Sequence, residues 1–461
     1  MSHSSEHVWA SEIFGHAQLG DVRRTRRLVA IAAAAAHRPS GTVTGMKQDS
    51  AGSEGTFRFL ENAEIPAAKV ASAVFEATAA LATRDDYIYV PVDQSDLTFT
   101  DRMHVRGLGP DCSRRCNPLR SVQVMSALAL DACGVPIGLL DQQWWNRPEE
   151  KTSCGSGDQR APEERESWQW VRTLEAAQSR LDPHTRACYV MDRGADFWGV
   201  FETVERLGID AIVRANHPRV IRRHGQNRGL WSTLARAESR GLLSIRIPAG
   251  HGRRARTAQC EVRSERYSLR MRDQVGATKW HEFTCLRLRE IGPIAHEEER
   301  LEWKLLTTLD ATEALDIQRV IEAYTYRWRI EEFHKTWKSG ACNVEDSQLR
   351  SYEAIVKWAT VLGAVATRVE RLKLLSRTTP DISALLELSR DEIDAAIILT
   401  KTKKHKVGDD MTLQQAVRLI AMAGGFMGRK GDGNPGSITI QRGLDDVLPA
   451  ARALAFARRC D

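Results

Sequence analysis

The sequence has no long hydrophobic run, which argues against a helix that spans a membrane. Its longest apolar stretch, Leu28–Ala36, is rich in alanine and well short of the roughly 18 residues that a transmembrane helix needs. The N-terminus also lacks the basic-then-apolar order of a secretory signal. Hydrophobic residues make up 42% and charged residues 27% of the sequence, as is typical of globular proteins. The length of 461 residues predicts two or three domains. We therefore expect a cytoplasmic protein.

The nine cysteines form no framework. Their number is odd and their spacing irregular, which indicates free thiols in a reducing compartment rather than disulfide bonds. Cys112 and Cys116 have the spacing of half a zinc site, but no second pair of cysteine or histidine residues with matching spacing follows them. Two ligands do not complete the tetrahedral shell of a structural zinc ion, so zinc binding there has little support.

The net charge of +6 is small, but the basic residues are concentrated. Residues 219–300 contain 18 Lys and Arg residues against 9 Asp and Glu residues. Two shorter clusters occur elsewhere: Arg23, Arg24, Arg26 and Arg27, and Lys401, Lys403, Lys404 and Lys406. One basic run is most simply a solvated surface, whereas three separate patches favour a protein that binds a polyanion along its length. Nucleic acid is the expected partner.

The order of predicted elements changes along the chain. The first 80 residues have a helical pattern, in which Asp21 can cap the helix that begins near Arg23. From Tyr87 to Arg214, strand-like apolar runs are followed by alternating helical and strand-like segments, which predicts an α/β fold with a mixed sheet. Residues 218–300 alternate apolar and basic residues, as half-exposed strands do. The remainder is mostly helical.

Two aspartates directly follow strand-like runs. Asp93 comes after a run of tyrosine, isoleucine and valine residues, and Asp192 comes after Ala187–Met191. If the two strands end near one another, both carboxylates lie at one edge of the sheet. Asp96 and Asp196 are alternative candidates for the acids at this edge of the sheet. An isolated aspartate at the end of a strand is more commonly a turn or cap residue.

A third acid lies in the segment Tyr324–Lys338, which has the pattern of one amphipathic helix. At about 100° per residue, Tyr324, Arg327, Glu331 and Lys338 fall within roughly 60° of one another. Glu332 is about 100° from Glu331 and outside this polar stripe. A separate apolar face comprises Ile330, Phe333 and Trp337. Charge spacing by itself favours a solvated amphipathic helix with no further role.

The residues of this segment match more than a helical pattern. Tyr324, Arg327, Glu331 and Lys338, with the aromatic residues between them, resemble the tyrosine–arginine–glutamate–lysine signature of bacterial insertion-sequence DDE transposases. The resemblance is to the IS-four family, and within it to the transposon-five branch. Further landmarks of that family are matched at Trp9–Phe14, Leu19–Val29, Gly52–Phe59, Gln143–Pro148 and Gly424–Met427.

This resemblance implies a ribonuclease-H-like catalytic core with a mixed five-stranded sheet. It predicts a helical DNA-binding domain at 1–75, a catalytic domain at 76–371 with a β-rich insertion at about 218–300, and a helical C-terminal dimerisation domain at 372–461. Asp93, Asp192 and Glu331 would be catalytic ligands of two Mg²⁺ ions, for which Mn²⁺ would substitute. Carboxylates suit such hard cations, and two ions about 3.5–4 Å apart support both the attacking and the leaving oxygen when a phosphodiester is cut.

The same resemblance implies a set of DNA contacts. Arg327, Lys338 and Arg214 would hold phosphates of a transposon end, and Trp303 would stack on a flipped base, although by itself such a tryptophan is more often part of a core. The full DNA-binding set is Tyr324, Arg327, Lys338, Arg214, Trp303, Arg58, Arg23, Arg24, Arg26 and Arg27. Gln94 and Ser95 stand where the family has threonines, which puts any hydroxyl contacts to DNA at this point in doubt.

The expected function is that of a cut-and-paste transposase acting on double-stranded DNA. It would bind terminal inverted repeats, nick them, form and resolve a hairpin, and join the free 3′ ends to target DNA as a homodimer. Two alternatives stay open: a catalytically inactive end-binding repressor of transposition, and a metal-dependent DNA nuclease without strand transfer. The intact acids argue against the repressor.

Overall fold

The computed structural model describes residues 5–110, 119–149, 161–223, 225–247, 255–273, 276–294, 299–429 and 431–460. Cys112 and Cys116 lie outside these ranges. The described chain begins with four helices: α1 (Ser5–Phe14), α2 (Val22–His37), α3 (Ser50–Glu61) and α4 (Ala67–Ala82). The carboxylate of Asp21 accepts a hydrogen bond from the backbone N–H of Arg23, which confirms Asp21 as the cap of α2.

A mixed sheet follows these helices. Its first elements are β1 (Tyr87–Thr100), β2 (Gly109–Pro110), β3 (Leu119–Leu130), β4 (Pro136–Trp145), α5 (Trp168–Arg180), β5 (Arg186–Met191), α6 (Trp198–Leu207) and β6 (Asp210–Arg214). Strand β3 is antiparallel to β1 and β4, whereas β1, β5 and β6 are parallel. Helix α6 is the crossover that parallel neighbours such as β5 and β6 require. The order β4-β3-β1-β5-β6 is the predicted five-stranded mixed sheet.

The β-rich insertion extends this sheet instead of forming a separate layer. Its elements are β7 (Val220–Arg223), β8 (Gln226–Gly229), α7 (Leu230–Leu234), β9 (Gly241–Ile247), β10 (Arg256–Arg272), β11 (Thr278–Glu290) and β12 (Glu302–Thr307). Strand β12 pairs with both β6 and β11, so the described strands join into one sheet of twelve. Strand β10 alternates more buried and more exposed side chains, as the period-two pattern predicted.

The described residues after β12 form α8 (Ala314–Thr325), α9 (Trp328–Lys338), α10 (Tyr352–Thr378), α11 (Arg390–Thr400), α12 (Leu413–Ala423) and α13 (Ser437–Cys460). The prediction of a single helix over Tyr324–Lys338 is therefore wrong. At the junction of α8 and α9, the N–H groups of Tyr326 and Arg327 donate to the carbonyls of Ala323 and Tyr324, three residues earlier. This tighter turn changes the helical phase. None of the helices in the described ranges has the length and apolar character to cross a membrane.

Helix α10 holds the N-terminal helices to the rest of the molecule. Most of its side chains are buried. The ammonium group of Lys357 donates to the carbonyls of Leu60 at 3.0 Å and Asn62 at 2.8 Å, at the end of α3. The carboxylate of Glu353 accepts a hydrogen bond from the N–H of Ala67 at 3.0 Å, at the start of α4. These side chains satisfy backbone groups that have no partner within their own helices.

The substitution Lys357→Met tests this attachment. It should destabilise the protein by roughly 2–4 kcal/mol, because two carbonyls at the end of α3 lose a buried donor. The midpoint of thermal unfolding, followed by circular dichroism, should fall by several degrees. Lys69→Met is the matched control, since Lys69 is exposed on α4 and surface substitutions change stability little. Equal midpoints for the two variants would contradict the prediction.

Candidate active site

Strands β1 and β5 bring Asp93 and Asp192 to neighbouring positions. The two strands are parallel and paired as far as Val92 and Met191, so the next residue of each chain segment is one of these aspartates. The prediction that Asp93 ends its strand is wrong, because β1 continues well beyond it. It continues because β3 still pairs with β1 on its other side, whereas β5 stops at Met191.

Helix α9 places Glu331 beside these strands. Glu331 lies in the first turn of α9, and α9 packs against β1 and α10. The predicted apolar face is confirmed, because Ile330, Phe333 and Trp337 are all completely buried. The indole N–H of Trp337 donates to the carbonyl of Ala359 in α10 at 2.9 Å. Burial of this face sets which side of α9 is directed towards the strands.

The guanidinium group of Arg327 joins two of the acids. One of its nitrogens donates to the carboxylate of Glu331 at 2.6 Å, and another lies 3.7 Å from the carboxylate of Asp93. The side chain of Arg327 is only 8% exposed, while that of Asp93 is 17% exposed. Low exposure strengthens these ion pairs, because little water screens them. The site is therefore a buried cation held among carboxylates.

The pKa of Asp93 depends on its burial and on the charged groups around it. Burial raises the pKa of Asp93 to about 7; Arg327 opposes this rise, and the charges of Asp192 and Glu331 add to it. The charges of Asp192 and Glu331 thus each repel that of Asp93, and a divalent cation bound among them would relieve this repulsion. The hard oxygen atoms of these carboxylates fit Mg²⁺. In the parts of the chain that the structure describes, however, no three acidic, histidine or cysteine side chains have the spacing of a preformed metal site.

The two competing aspartates are engaged elsewhere. Asp196 is 1% exposed, accepts hydrogen bonds from backbone N–H groups of the loop after β6 and pairs with Arg219. Asp96 lies 3.4 Å from a guanidinium nitrogen of Arg147. Both are thus structural partners of arginines that are distant in sequence. This favours Asp93 and Asp192 over them as site residues.

Tyr324 lies beneath the site and not on its surface. It is 1% exposed, and its ring packs edge to face against Trp303, with 5.0 Å between ring centres. Burial raises the pKa of Tyr324, and the nearby guanidinium groups of Arg327 and Arg214 oppose the rise. The predicted polar stripe is therefore wrong for Tyr324, because the helix break turns it inward. Trp303 is 6% exposed, so stacking on a base stays a prediction that requires this ring to become exposed.

Lys338 is the last residue of α9 and is partly exposed. Its ammonium group lies 3.7 Å from the carboxylate of Glu345. The same carboxylate accepts a hydrogen bond from the backbone N–H of Thr98 in β1 at 2.9 Å. Lys338 and Arg327 therefore stand at opposite ends of α9, on the side that faces β1.

The predicted N-terminal DNA contacts lie on α2 and α3. Arg23 and Arg58 each pair with an acid close by in sequence, and Arg24 donates to a carbonyl of the preceding loop at 3.2 Å. Arg26 and Arg27 are exposed. Because Arg23, Arg26 and Arg27 are three and four positions apart, they share one face of α2. Their contacts with DNA stay a prediction.

The sequence did not predict the contacts that Glu166 and Arg147 make beside Asp93. The side-chain amide of Gln94, which follows Asp93, donates to the carboxylate of Glu166 at 2.8 Å. Arg147 also donates to Glu166, at 3.1 Å. Gln94 was noted in the sequence only as a departure from the family, and Arg147 only as part of a landmark. Together they connect the residue beside Asp93 to the end of β4 and the start of α5.

Comparison with protein families gives matches over three spans of the chain, and these agree with this geometry. Residues 6–65 match the family model for a Transposase DNA-binding domain, residues 166–367 match the Transposase DDE domain, and residues 364–460 match the Transposase Tn5 dimerisation domain. Asp192 and Glu331 fall within the DDE span. Asp93 lies between the first two spans, so its assignment depends on the pairing of β1 with β5.

These matches and the fold define a DDE transposase, an enzyme that cleaves DNA and transfers its strands. The chain belongs to the Tn5-like transposases. It binds DNA and forms a homodimer, and its DDE domain makes it dependent on a divalent metal. The catalytic and DNA-binding roles of individual residues stay predictions.

His334 in α9 makes the stability of this region dependent on pH. Burial, with a smaller contribution from Lys338, lowers the pKa of His334 to about 3, whereas an unfolded histidine has a pKa of about 6.5. Between these values only the unfolded chain binds the proton, so stability is fully present above about pH 6.5 and is lost as pH falls, by about 1.4 kcal/mol per pH unit.

The substitution His334→Phe should remove this component. The thermal midpoint of the wild type should fall more than that of His334→Phe between about pH 7 and about pH 5. Both proteins are compared at each pH, so that carboxylates titrating elsewhere affect them equally. The prediction is wrong if the difference between the two midpoints is the same at both pH values.

Proposed function

We propose that this chain is a cut-and-paste transposase that binds inverted repeats at the ends of its element. It would nick the DNA, form and resolve a hairpin at the transposon end, and join the free 3′ ends to target DNA. Asp93, Asp192 and Glu331 would hold two Mg²⁺ ions, with Mn²⁺ able to substitute. Acting on chromosomal DNA, it would work in the bacterial cytoplasm. The observation that carries the proposal is the proximity of these acids: Arg327 pairs with both Asp93 and Glu331, and the pairing of β1 with β5 places Asp192 beside Asp93.

The carboxylates and the cations of the site have complementary roles in this proposal. Bound divalent metal supplies activation of the attacking oxygen and support for the leaving oxygen. Arg327 pairs with Asp93 and Glu331 and offsets part of their negative charge. When DNA is bound, the guanidinium would turn to a phosphate, which it can grip through two N–H donors. Lys338 would hold a second phosphate as a point charge.

Arg214 and Tyr324 extend this phosphate-binding group. Arg214 ends β6, the strand next to β5, and donates to a backbone carbonyl of β12 at 3.3 Å. The hydroxyl of Tyr324 is close to both Arg214 and Arg327. The buried tyrosine therefore helps to hold the guanidinium groups of Arg214 and Arg327 in place, and it would act on DNA through them.

Substitution of each acid tests the proposal. Asp93→Asn, Asp192→Asn and Glu331→Gln should each slow Mg²⁺-dependent cleavage about 100-fold or more, because a catalytic metal contributes several kcal/mol. The substrate is a linear DNA fragment that carries the inverted repeat bounding the gene. Binding to that repeat, measured by gel shift, should persist in all three variants.

Asp96→Asn is the matched control, since Asp96 lies on the same strand but is paired with Arg147. It should cleave DNA at close to the wild-type rate. If Asp93→Asn cleaves as well as Asp96→Asn, the assignment of Asp93 fails. Transfer of a pre-cut end into a plasmid separates a transposase from a nuclease, and a wild type that binds ends without nicking them would be a repressor.

A further inference from the structure

A second charged cluster lies on a different face of α9 from Glu331. Glu332, which the helical phase placed outside the polar stripe, pairs with Arg329 at 3.0 Å and with Lys373 of α10 at 3.4 Å. Lys373 also pairs with Glu370, one turn earlier in α10. The cluster therefore joins α9 to α10 through charged groups and not only through apolar packing.

Glu370 extends this cluster to a third helix. Its side chain is 1% exposed, and one carboxylate oxygen accepts hydrogen bonds from the hydroxyl groups of Thr336 and Ser437, both at 2.5 Å. Thr336 belongs to α9, and Ser437 is the first residue of α13. A single buried carboxylate of α10 thus bonds to two other helices and joins all three.

A neighbouring contact holds the same segment of chain. Arg377, two turns after Glu370 in α10, donates to the carbonyl of Pro435 at 2.7 Å. Ser437 is the first residue of α13, and Pro435 lies two residues before it. Two side chains from one face of α10 therefore fix where α13 begins.

The cluster also crosses the boundary between two matched family domains. Thr336 and Glu331 lie in the DDE span, whereas Glu370 and Ser437 lie in the dimerisation span. A carboxylate excluded from water is costly unless it is paired and hydrogen-bonded. Apolar packing tolerates small rotations of a helix. Hydrogen bonds depend on angle as well as on distance, so hydrogen bonds to one carboxylate oxygen restrict such rotations. Glu370 is thus suited to fix the orientation of α9.

We propose that Glu370 is a positioning residue that fixes α9, and with it the carboxylate of Glu331, relative to the start of α13. It acts by accepting hydrogen bonds from Thr336 and Ser437. The arrangement of the dimerisation domain thereby sets the geometry of the acids, so that cleavage depends on correct placement of α13. This inference rests on the proposed role of Glu331 in catalysis.

Substitution of Thr336, whose hydroxyl donates to Glu370, gives the most direct test of this proposal. Thr336→Val keeps the shape of the side chain and removes the donor, whereas Thr336→Ser keeps the donor. Thr360→Val is the matched control, because Thr360 is buried in α10 and its hydroxyl donates to the carbonyl of Val356 in its own helix. The readout is the single-turnover cleavage rate of full-length protein already assembled on inverted-repeat DNA, measured over a range of Mg²⁺ concentrations.

Thr336→Val should reduce this rate about tenfold and raise the Mg²⁺ concentration needed for half the maximal rate, as loss of a group that orients a site residue does. Thr336→Ser and Thr360→Val should stay near the wild type. Ser437→Ala should also reduce the rate. The double variant Thr336→Val/Ser437→Ala should lose less than the product of the two single losses, because both hydroxyls act through one carboxylate.

Two results would overturn the proposal while leaving the transposase function intact. One is a wild-type rate per assembled complex in Thr336→Val and Ser437→Ala. The other is a reduced thermal midpoint or fewer assembled complexes with no change in rate, since this would mean that the hydroxyls contribute stability alone. A wild type that binds the repeats without cutting them would instead refute the proposed function, and this inference with it.

Discussion

The ion pairs of Arg327 with Asp93 and Glu331 are the interaction on which the arrangement of the site depends. Like charges in a partly buried position repel strongly, because little water screens them. A guanidinium group suits this place, since it stays charged at any physiological pH and has several donors in a rigid plane. The residue that pairs with these acids is also the one proposed to hold a phosphate.

Helix α10 connects the helices on either side of the site. It contacts α3 and α4 through Lys357 and Glu353, and it contacts α9 and α13 through Glu370. One continuous buried cluster also reaches from Phe14 in α1 to Trp337 in α9. The spans matched to three families are therefore not independent in space. The buried charged side chains Lys357, Glu370 and Lys373 of α10 each have a partner on another element, as burial of such groups requires.

Local patterns predicted several features correctly, and their errors have physical causes. Asp21 caps α2, and the apolar face of α9 is buried as its spacing indicated. The helical wheel failed at Tyr324 because it assumes a constant rotation per residue, and one 3₁₀-type turn breaks that assumption. The strand carrying Asp93 was predicted too short, because its length depends on continued pairing with β3, a distant partner that periodicity does not reveal.

The sequence by itself determined the properties that depend on near neighbours along the chain: the order of helices and strands, the apolar face of α9 and the acids that follow apolar runs. The family signature added the expected chemistry. Only the tertiary structure decided that Asp96 and Asp196 are held by Arg147 and Arg219, that Tyr324 and Trp303 are buried, and that Glu370 joins three helices. Burial and charge pairing depend on residues brought together from distant segments of the chain. The local sequence pattern does not reveal which distant residues come into contact.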